Sequence, residues 1–276
     1  DFSAIEGRVV AWLAGDEEAL TEYKGDGKMY ERAASAIYEC SPEQVTKQQR
    51  QIGKVSELAL GFGGGWKAFD SMAQNYGVKV PVHEAKKIVK KWREARQDVV
   101  ALWYAAERAM IASYRRGAKG QNSTRYIGVN RQVSVEYSNA SRNMYIELPS
   151  GRDIILPEFR VSSVDGPYGV QDRITYARGS WSPAADKAHL GSKGWTRCDT
   201  YGGSIVESLA QGIARDLMAE VMLKLDNAKL DIIMHVHDEI VIECNDAFAK
   251  GVLERARSEM SKAPDWAKGL PLSAEG

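Results

Sequence analysis

The residues best equipped for chemistry lie toward the two ends of the chain. Asp1 opens DFSAIEGRVV, and Asp238 stands in HVHDEIVIE, each a carboxylate among apolar neighbours. An ionised carboxylate is costly to bury unless it is paired or bound to a metal. If the two segments are neighbours in space, the aspartates can share a divalent cation. Magnesium suits such a site because it takes one or two carboxylates plus substrate oxygens rather than a full protein cage. Two such ions about 4 Å apart can activate an attacking oxygen and stabilise a leaving one. By spacing alone, two unrelated strand-end aspartates are the plainer reading.

A second constellation is RQIGKVSELALGF, where Arg50, Lys54, Leu58 and Phe62 recur every four residues. On a helix they form one slowly drifting stripe. Two cations followed by two apolar groups suit a ligand with a phosphate end and a planar end, Arg gripping phosphate bidentately and Lys acting as a point charge. An ordinary amphipathic helix with solvated cations is the plainer alternative. His235 and His237 alternate along a strand and could face one side, but no third residue at suitable spacing completes a zinc site. The run KKIVKKWREAR, with Lys86, Lys87, Lys90, Lys91, Arg93 and Arg96, reads as a solvated helix face, or alternatively as a surface that tracks phosphates.

The elements that must position these residues follow from pattern. Residues 1–40 read as a short strand running into alanine-rich helical segments. Thr46, with Gln49 three residues on, marks the start of the main helix, and Ser41-Pro42 marks a single turn before it. The glycine cluster Gly61 to Gly65 ends that helix. From Pro81 to Arg116 the apolar positions recur at helical steps, long enough for two consecutive helices. Residues 117–200 favour hairpins and irregular loops. A strong amphipathic helix follows over GSIVESLAQGIARDLMAEVMLKLDNA, then a strand–turn–strand at DIIMHVHDEIVIEC and a helix from about Asp246 to Lys262. β elements at both ends around a mainly helical middle imply an α+β layout, with the terminal strands paired in one antiparallel sheet.

Composition bounds the reading. The chain has 276 residues, enough for one large core or two smaller ones. Lys plus Arg equals Asp plus Glu at 37 each, so no global charge favours a nucleic-acid or membrane partner, and only local clustering could. Cys40, Cys198 and Cys244 are odd in number and far apart, which fits a reducing, intracellular setting better than a disulfide framework. No apolar run reaches the roughly 18 residues of a membrane span, and no leader-like segment opens the chain.

Taken together and in this order, the motifs resemble family A DNA polymerases of the bacterial polymerase I type, with a bacteriophage-like flavour in YGGSIVESLAQGIARDL. DFSAIEGR resembles the family's motif A, RQIGKVSELALGFG its motif B, and HVHDEIVIE its motif C; LPSGRDIILP is similar to a stretch of its fingers. The resemblance runs over essentially the whole chain. It implies a palm built from 1–40 and 201–276, an antiparallel sheet with helices, and mainly helical fingers over 41–200. It also implies template-directed transfer of dNTPs onto a primer 3′-hydroxyl, with two Mg²⁺ ions as cofactor.

The same resemblance assigns residues. Asp1 and Asp238, with the Phe2 carbonyl, would hold metal; Glu239 would be an accessory acid. Glu6 would exclude a ribose 2′-hydroxyl, and Arg50 and Lys54 would hold the triphosphate, Lys54 also protonating the leaving pyrophosphate. Leu58 and Phe62 would border the nascent base pair. Arg8, Gln211, His237 and Glu207 would meet primer–template DNA. Four positions depart from the family pattern: Leu58 where Phe or Tyr is common, Phe62 for Tyr, Ala4 for Gln and Glu207 for Asn. The implied setting is the cytoplasm of a bacterial cell with a phage-encoded origin as one option, and the implied state is a monomer without a membrane partner.

Thumb and proofreading exonuclease would lie outside these residues, making the chain a fragment, weak or inactive alone, whose first residue is a cut edge. A true terminus at Asp1 would place an α-amino cation, of pKa about 8, beside a metal carboxylate. Two rivals remain: a non-catalytic nucleic-acid-binding remnant, and a single-subunit RNA polymerase, against which Glu6 and Phe62 both argue.

Overall fold

The structure is a computed structural model that describes residues 1–25, 27–166, 169–179 and 194–276. Its helices are α1 (Ile5–Ala14), α2 (Glu17–Lys24), α3 (Met29–Tyr38), α4 (Lys47–Leu60), α5 (Trp66–Asn75), α6 (Val82–Ala95), α7 (Gln97–Gly117), α8 (Gly202–Asn227) and α9 (Ala249–Met260). Its strands are β1 (Arg125–Ile127), β2 (Val133–Ser138), β3 (Asn143–Glu147), β4 (Asp153–Leu156), β5 (Arg160–Gly166), β6 (Gly169–Gly179), β7 (Trp195–Thr200), β8 (Asp231–Val236) and β9 (Glu239–Glu243). All strand pairings described are antiparallel, in sheets ordered β1-β2-β3-β4, β5-β6-β7 and β8-β9. The class is α+β, as expected. Among the described residues, no helix is long and apolar enough to cross a membrane.

The chain forms two compact units, Asp1–Ala101 with Glu207–Gly276, and Leu102–Val206. In the first unit, α4 starts where its capping box places it. The Thr46 hydroxyl accepts from the Gln49 amide at 3.3 Å, and the Gln49 side chain accepts from the Thr46 amide at 2.9 Å. Ser41 and Gln44 cap a single 3₁₀ turn just before it. Buried Ile52, Val55 and Leu60 face inward, and Gly53 lets α4 approach α3 so closely that a Cβ would meet the Tyr30 carbonyl. The two consecutive helices over 81–116 are α6 and α7, and β8 and β9 form the expected hairpin with His237-Asp238 at its turn.

The first residues differ from expectation. No strand forms at the N-terminus: Phe2 makes a single antiparallel bridge with Ala274, Ala4 turns left-handed at φ 51°, and α1 begins at Ile5. Ile5 and every residue from Arg8 to Ala14 are buried, as in a helix covered on all sides. The terminal sheet is accordingly a two-stranded hairpin rather than a sheet that includes residues 1–4.

The second unit holds the hairpins expected over 117–200, except that 167–168 and 180–193 lie outside the described residues. Strand β2 alternates cleanly, burying Val133, Val135 and Tyr137, and β3 does the same with Met144 and Ile146. Ser113 on α7 accepts a hydrogen bond from the Tyr137 amide at 2.9 Å, and Tyr114, Tyr137 and Phe159 cluster edge to face. Charges on this unit pair at its surface, as in the bidentate Arg173–Asp199 contact at 2.6 and 2.9 Å.

Candidate active site

Backbone hydrogen bonds join the two ends of the chain. The Phe2 amide donates to the Asp238 carbonyl at 3.1 Å, in the β8–β9 turn, and the Ser3 amide donates to Ser273 at 2.9 Å. Buried Phe2 anchors this junction. The main chains that carry Asp1 and Asp238 are therefore neighbours. Asp1 is exposed and Asp238 half-buried. The turn is tight, with His237 at φ 51°.

A cavity of about 910 Å³ opens beside this junction. Of the residues expected to act, Glu6, Arg8, Leu58, Phe62, Gln211, His237 and Asp238 line it. Asp1, Phe2, Arg50, Lys54, Glu207 and Glu239 are not among its lining residues. The rim is acidic. Partial burial raises the Glu6 carboxyl above its usual value; Glu207 and Asp238 push it further, and a hydrogen bond from Gln211 opposes them. Two neighbouring carboxylates thus act on Glu6, a field that favours a cation or a proton there.

The stripe on α4 is divided. Leu58 and Phe62 belong to the cavity lining, while Lys54 and Arg50 sit one and two turns back toward the helix start. Arg50 donates to Glu31 at 2.6 Å and lies 5.3 Å from the Tyr30 ring centroid. Lys54 lies 4.9 Å from the Tyr76 centroid and 6.0 Å from that of Tyr30. Both cations keep partial exposure.

Arg8 takes a place that its motif does not suggest. It is buried, and its guanidinium donates to the carbonyls of Ser3 at 2.7 Å, Tyr23 at 2.7 Å and Pro271 at 3.3 Å. It ties α1, α2 and the C-terminal segment together while also lining the cavity. The basic run on α6 also departs from a uniformly solvated face. Lys86, Lys87 and Lys90 are exposed. Lys91 donates to the Ile37 carbonyl at 2.9 Å, Arg93 to the Gly64 carbonyl at 3.1 Å, and Arg96 is buried. The reason is helical phase: Ile88, Trp92 and Arg96 stand at four-residue steps, so the buried stripe continues into the arginine.

That buried arginine heads a group which motif reading missed. Arg96 donates to one Glu57 oxygen through Nε at 3.2 Å and Nη2 at 3.1 Å, and Trp92 Nε1 donates to the same oxygen at 3.0 Å. Asp16, the N-cap of α2, lies 3.8 Å from Arg96 Nη1. Burial alone would pull the Arg96 guanidinium down; Glu57 and Asp16 outweigh it and hold the guanidinium above its ordinary value. Asp16, Glu57, Trp92 and Arg96 all line the same cavity. The available signal was the Ile88–Trp92–Arg96 spacing.

The profile of DNA polymerase family A matches residues 1–276. The chain belongs to that family. It is 37% identical over 279 aligned positions to a DNA polymerase of Bacillus phage SP02, covering all of this chain and 39% of the phage protein. It is also 24% identical to DNA polymerase I of Pseudomonas aeruginosa, over 95% of this chain and 22% of that protein. Among solved structures, the POL domain of Pol1 from M. smegmatis, in complex with DNA primer-template and dNTP, matches with a TM-score of 0.56 at 17% identity, covering 99% of this chain and 38% of that one. This chain thus spans well under half the length of the polymerases it matches.

The acidic rim bears on the metal that the family implies. Among the described residues, no group of three His, Cys, Asp or Glu side chains could cage an ion. The main chains that carry Asp1 and Asp238 are neighbours at the junction, so the donor class found there is carboxylate oxygen. That class fits magnesium and does not fit zinc.

Proposed function

We propose that the protein carrying this chain synthesises DNA on a primed template, adding dNTPs to a primer 3′-hydroxyl with release of pyrophosphate. The observation that supports the reading is the Phe2–Asp238 backbone hydrogen bond, which makes the main chains of DFSAIEGR and HVHDEIVIE neighbours. In this reading residues 1–40 and 201–276 are the palm, 41–200 the fingers, and the protein works in a bacterial cytoplasm as a monomer.

Asp1 and Asp238, with the Phe2 carbonyl, would hold two Mg²⁺ ions. Bound there, the metal supplies a lowered pKa for the primer hydroxyl and a counter-charge for the phosphates. The chain's own residues do the rest. Arg50 and Lys54 grip the triphosphate, Arg50 exchanging its Glu31 partner for a phosphate oxygen, and Lys54 gives a proton to the leaving pyrophosphate. Leu58 and Phe62 form an apolar wall against the nascent base pair. Glu6 stands where a 2′-hydroxyl would lie and repels it sterically. Gln211, His237, Glu207 and Arg8 border the primer–template, and Glu239 stands by the primer end. Closure of the fingers would exclude water before the transfer.

The test is primer extension by the whole protein with Mg²⁺ and dNTPs. Asp238→Ala should lower the extension rate by at least about a thousandfold, the scale expected when electrostatic stabilisation of the transition state is removed, with the thermal melting point kept. Undiminished extension by that variant would remove Asp238 from the reaction.

A further inference from the structure

We propose that Glu57, clamped by Arg96 and Trp92, is a positioning residue for the nucleotide-facing side of α4; this inference rests on the polymerase reading above. A single Glu57 oxygen receives three donors, two from Arg96 and one from Trp92, at 3.0 to 3.2 Å. Successive residues on a helix point about 100° apart. Glu57 reaches α6 on the inner wall of the same cavity that Leu58, 42% exposed, also lines. The orientation of one fixes the orientation of the other.

Apolar contacts of α4 through Val55 and Leu60 hold the helix down but resist rotation about its axis poorly, because dispersion is non-directional. Charge-assisted hydrogen bonds are directional. The N-terminal half of α4 has its own fixed point, Gly53 against the Tyr30 carbonyl. The Glu57 clamp is the second, one turn further on and adjacent to Leu58. Two fixed points set the azimuth of the Arg50–Lys54–Leu58 stripe. An azimuthal slip of α4 would move Arg50, Lys54 and Leu58 together away from the nucleotide they hold, weakening its binding more than the chemical step.

The two sides of Arg96 are unequal. Its bonds to Glu57 are short, whereas Asp16 stands at 3.8 Å. The tight side makes α4 and α6 a single body that moves together, and the loose side faces the start of α2. Arg96 would thus carry α4 and α6 jointly through any closing motion. A buried ion pair adds little net stability over well-packed apolar groups, which makes geometry the better account of why charge stands here.

The experiment is steady-state single-nucleotide incorporation by the whole protein, comparing wild type with Glu57→Gln, which keeps the shape, and Arg96→Lys, which keeps the charge but loses the fork. Each variant should raise the KM for dNTP about tenfold, with kcat changed by less than about threefold and primer–template affinity unchanged, the pattern of lost ground-state nucleotide positioning. The double variant should be no worse than the poorer single one, because the two residues act as one unit. An unchanged KM in a folded Glu57→Gln protein overturns the inference, as does a parallel loss in kcat and DNA affinity. If Arg96→Lys does not fold, Glu57→Gln decides alone. If the wild type fails to extend primers, the polymerase reading fails first. Titration of a fluorescent dNTP into wild type and Glu57→Gln then isolates the inference, and equal affinities overturn it.

Discussion

The buried wall of the cavity joins unlike charges, and its exposed rim gathers like ones. In the wall, Arg96 lies between Glu57 and Asp16, and every partner is supplied by the chain. At the rim, partial burial together with Glu207 and Asp238 raises the affinity of Glu6 for positive charge. The difference separates two uses of charge in one site. The wall is satisfied without a ligand and fixes geometry; the rim is frustrated without one and holds its interaction energy for what binds.

The largest effect that should separate them is on stability. Arg96→Met strips the wall of its cation and leaves Glu57 and Asp16 facing each other in a buried site. Removing one partner of a buried pair costs about 3–5 kcal/mol, so urea unfolding should show a loss on that scale. Asp238→Ala at the rim should leave the midpoint unchanged or raise it, since it relieves repulsion. Equal losses at both sites would erase the contrast.

How far the sequence foretold this site depends on which forces set each part. The α4 start was legible because Thr46 and Gln49 cap it through side chains three residues apart. The β8–β9 turn was legible from alternation on either side of His237-Asp238. Local chemistry decided both. The α1 start was not legible as such: Val9, Val10, Trp12 and Leu13 are all buried, and so continuous an apolar run carries little periodicity to tell strand from helix. The anchoring of Arg8 and the burial of Arg96 were not legible for a related reason. A charged side chain reads as solvated or ligand-facing unless its buried acceptors are known, and those acceptors, the carbonyls of Tyr23 and Pro271 and the carboxylate of Glu57, lie at 15, 263 and 39 residues' remove. The Phe2–Asp238 junction also spans nearly the whole chain. Motif order implied it, but only the folded backbone supplies the bond.

A smaller effect should arise at the rim alone. Glu6→Ala removes both a repelling carboxylate and the bulk assigned to the sugar face. Discrimination against ribonucleotides should fall about ten- to a hundredfold, which is roughly 1.4–2.8 kcal/mol in relative transition-state energy. Competition between dNTP and rNTP at one template position measures it. A variant that loses overall rate without losing discrimination would move Glu6 from the sugar to the metal side of the rim. The wall's Glu57→Gln should leave this ratio nearly unchanged, since it shifts α4 and not α1.

The smallest effect tests a carboxylate that belongs fully to neither class. Glu22 on α2 is buried, its ion-pair partner is Arg32, and among the described residues neither of its oxygens has a well-formed hydrogen bond. Burial raises its carboxyl from the ordinary 4.5 to about 7, against the pull of Arg32 and Arg96. The folded state therefore holds a proton that the unfolded chain gives up. Its stabilising contribution is full below pH 4.5 and is lost as pH rises to about 7, with a flat dependence above. Glu22→Gln removes that titration while keeping the shape. Its urea midpoint should vary less between pH 5 and 7.5 than that of the wild type, and at pH 8 it should be the more stable of the two, by on the order of 2 kcal/mol. An unchanged slope would mean that Arg32 keeps Glu22 ionised throughout. The residue would then join Glu57 as a satisfied charge, and frustration would be confined to the rim.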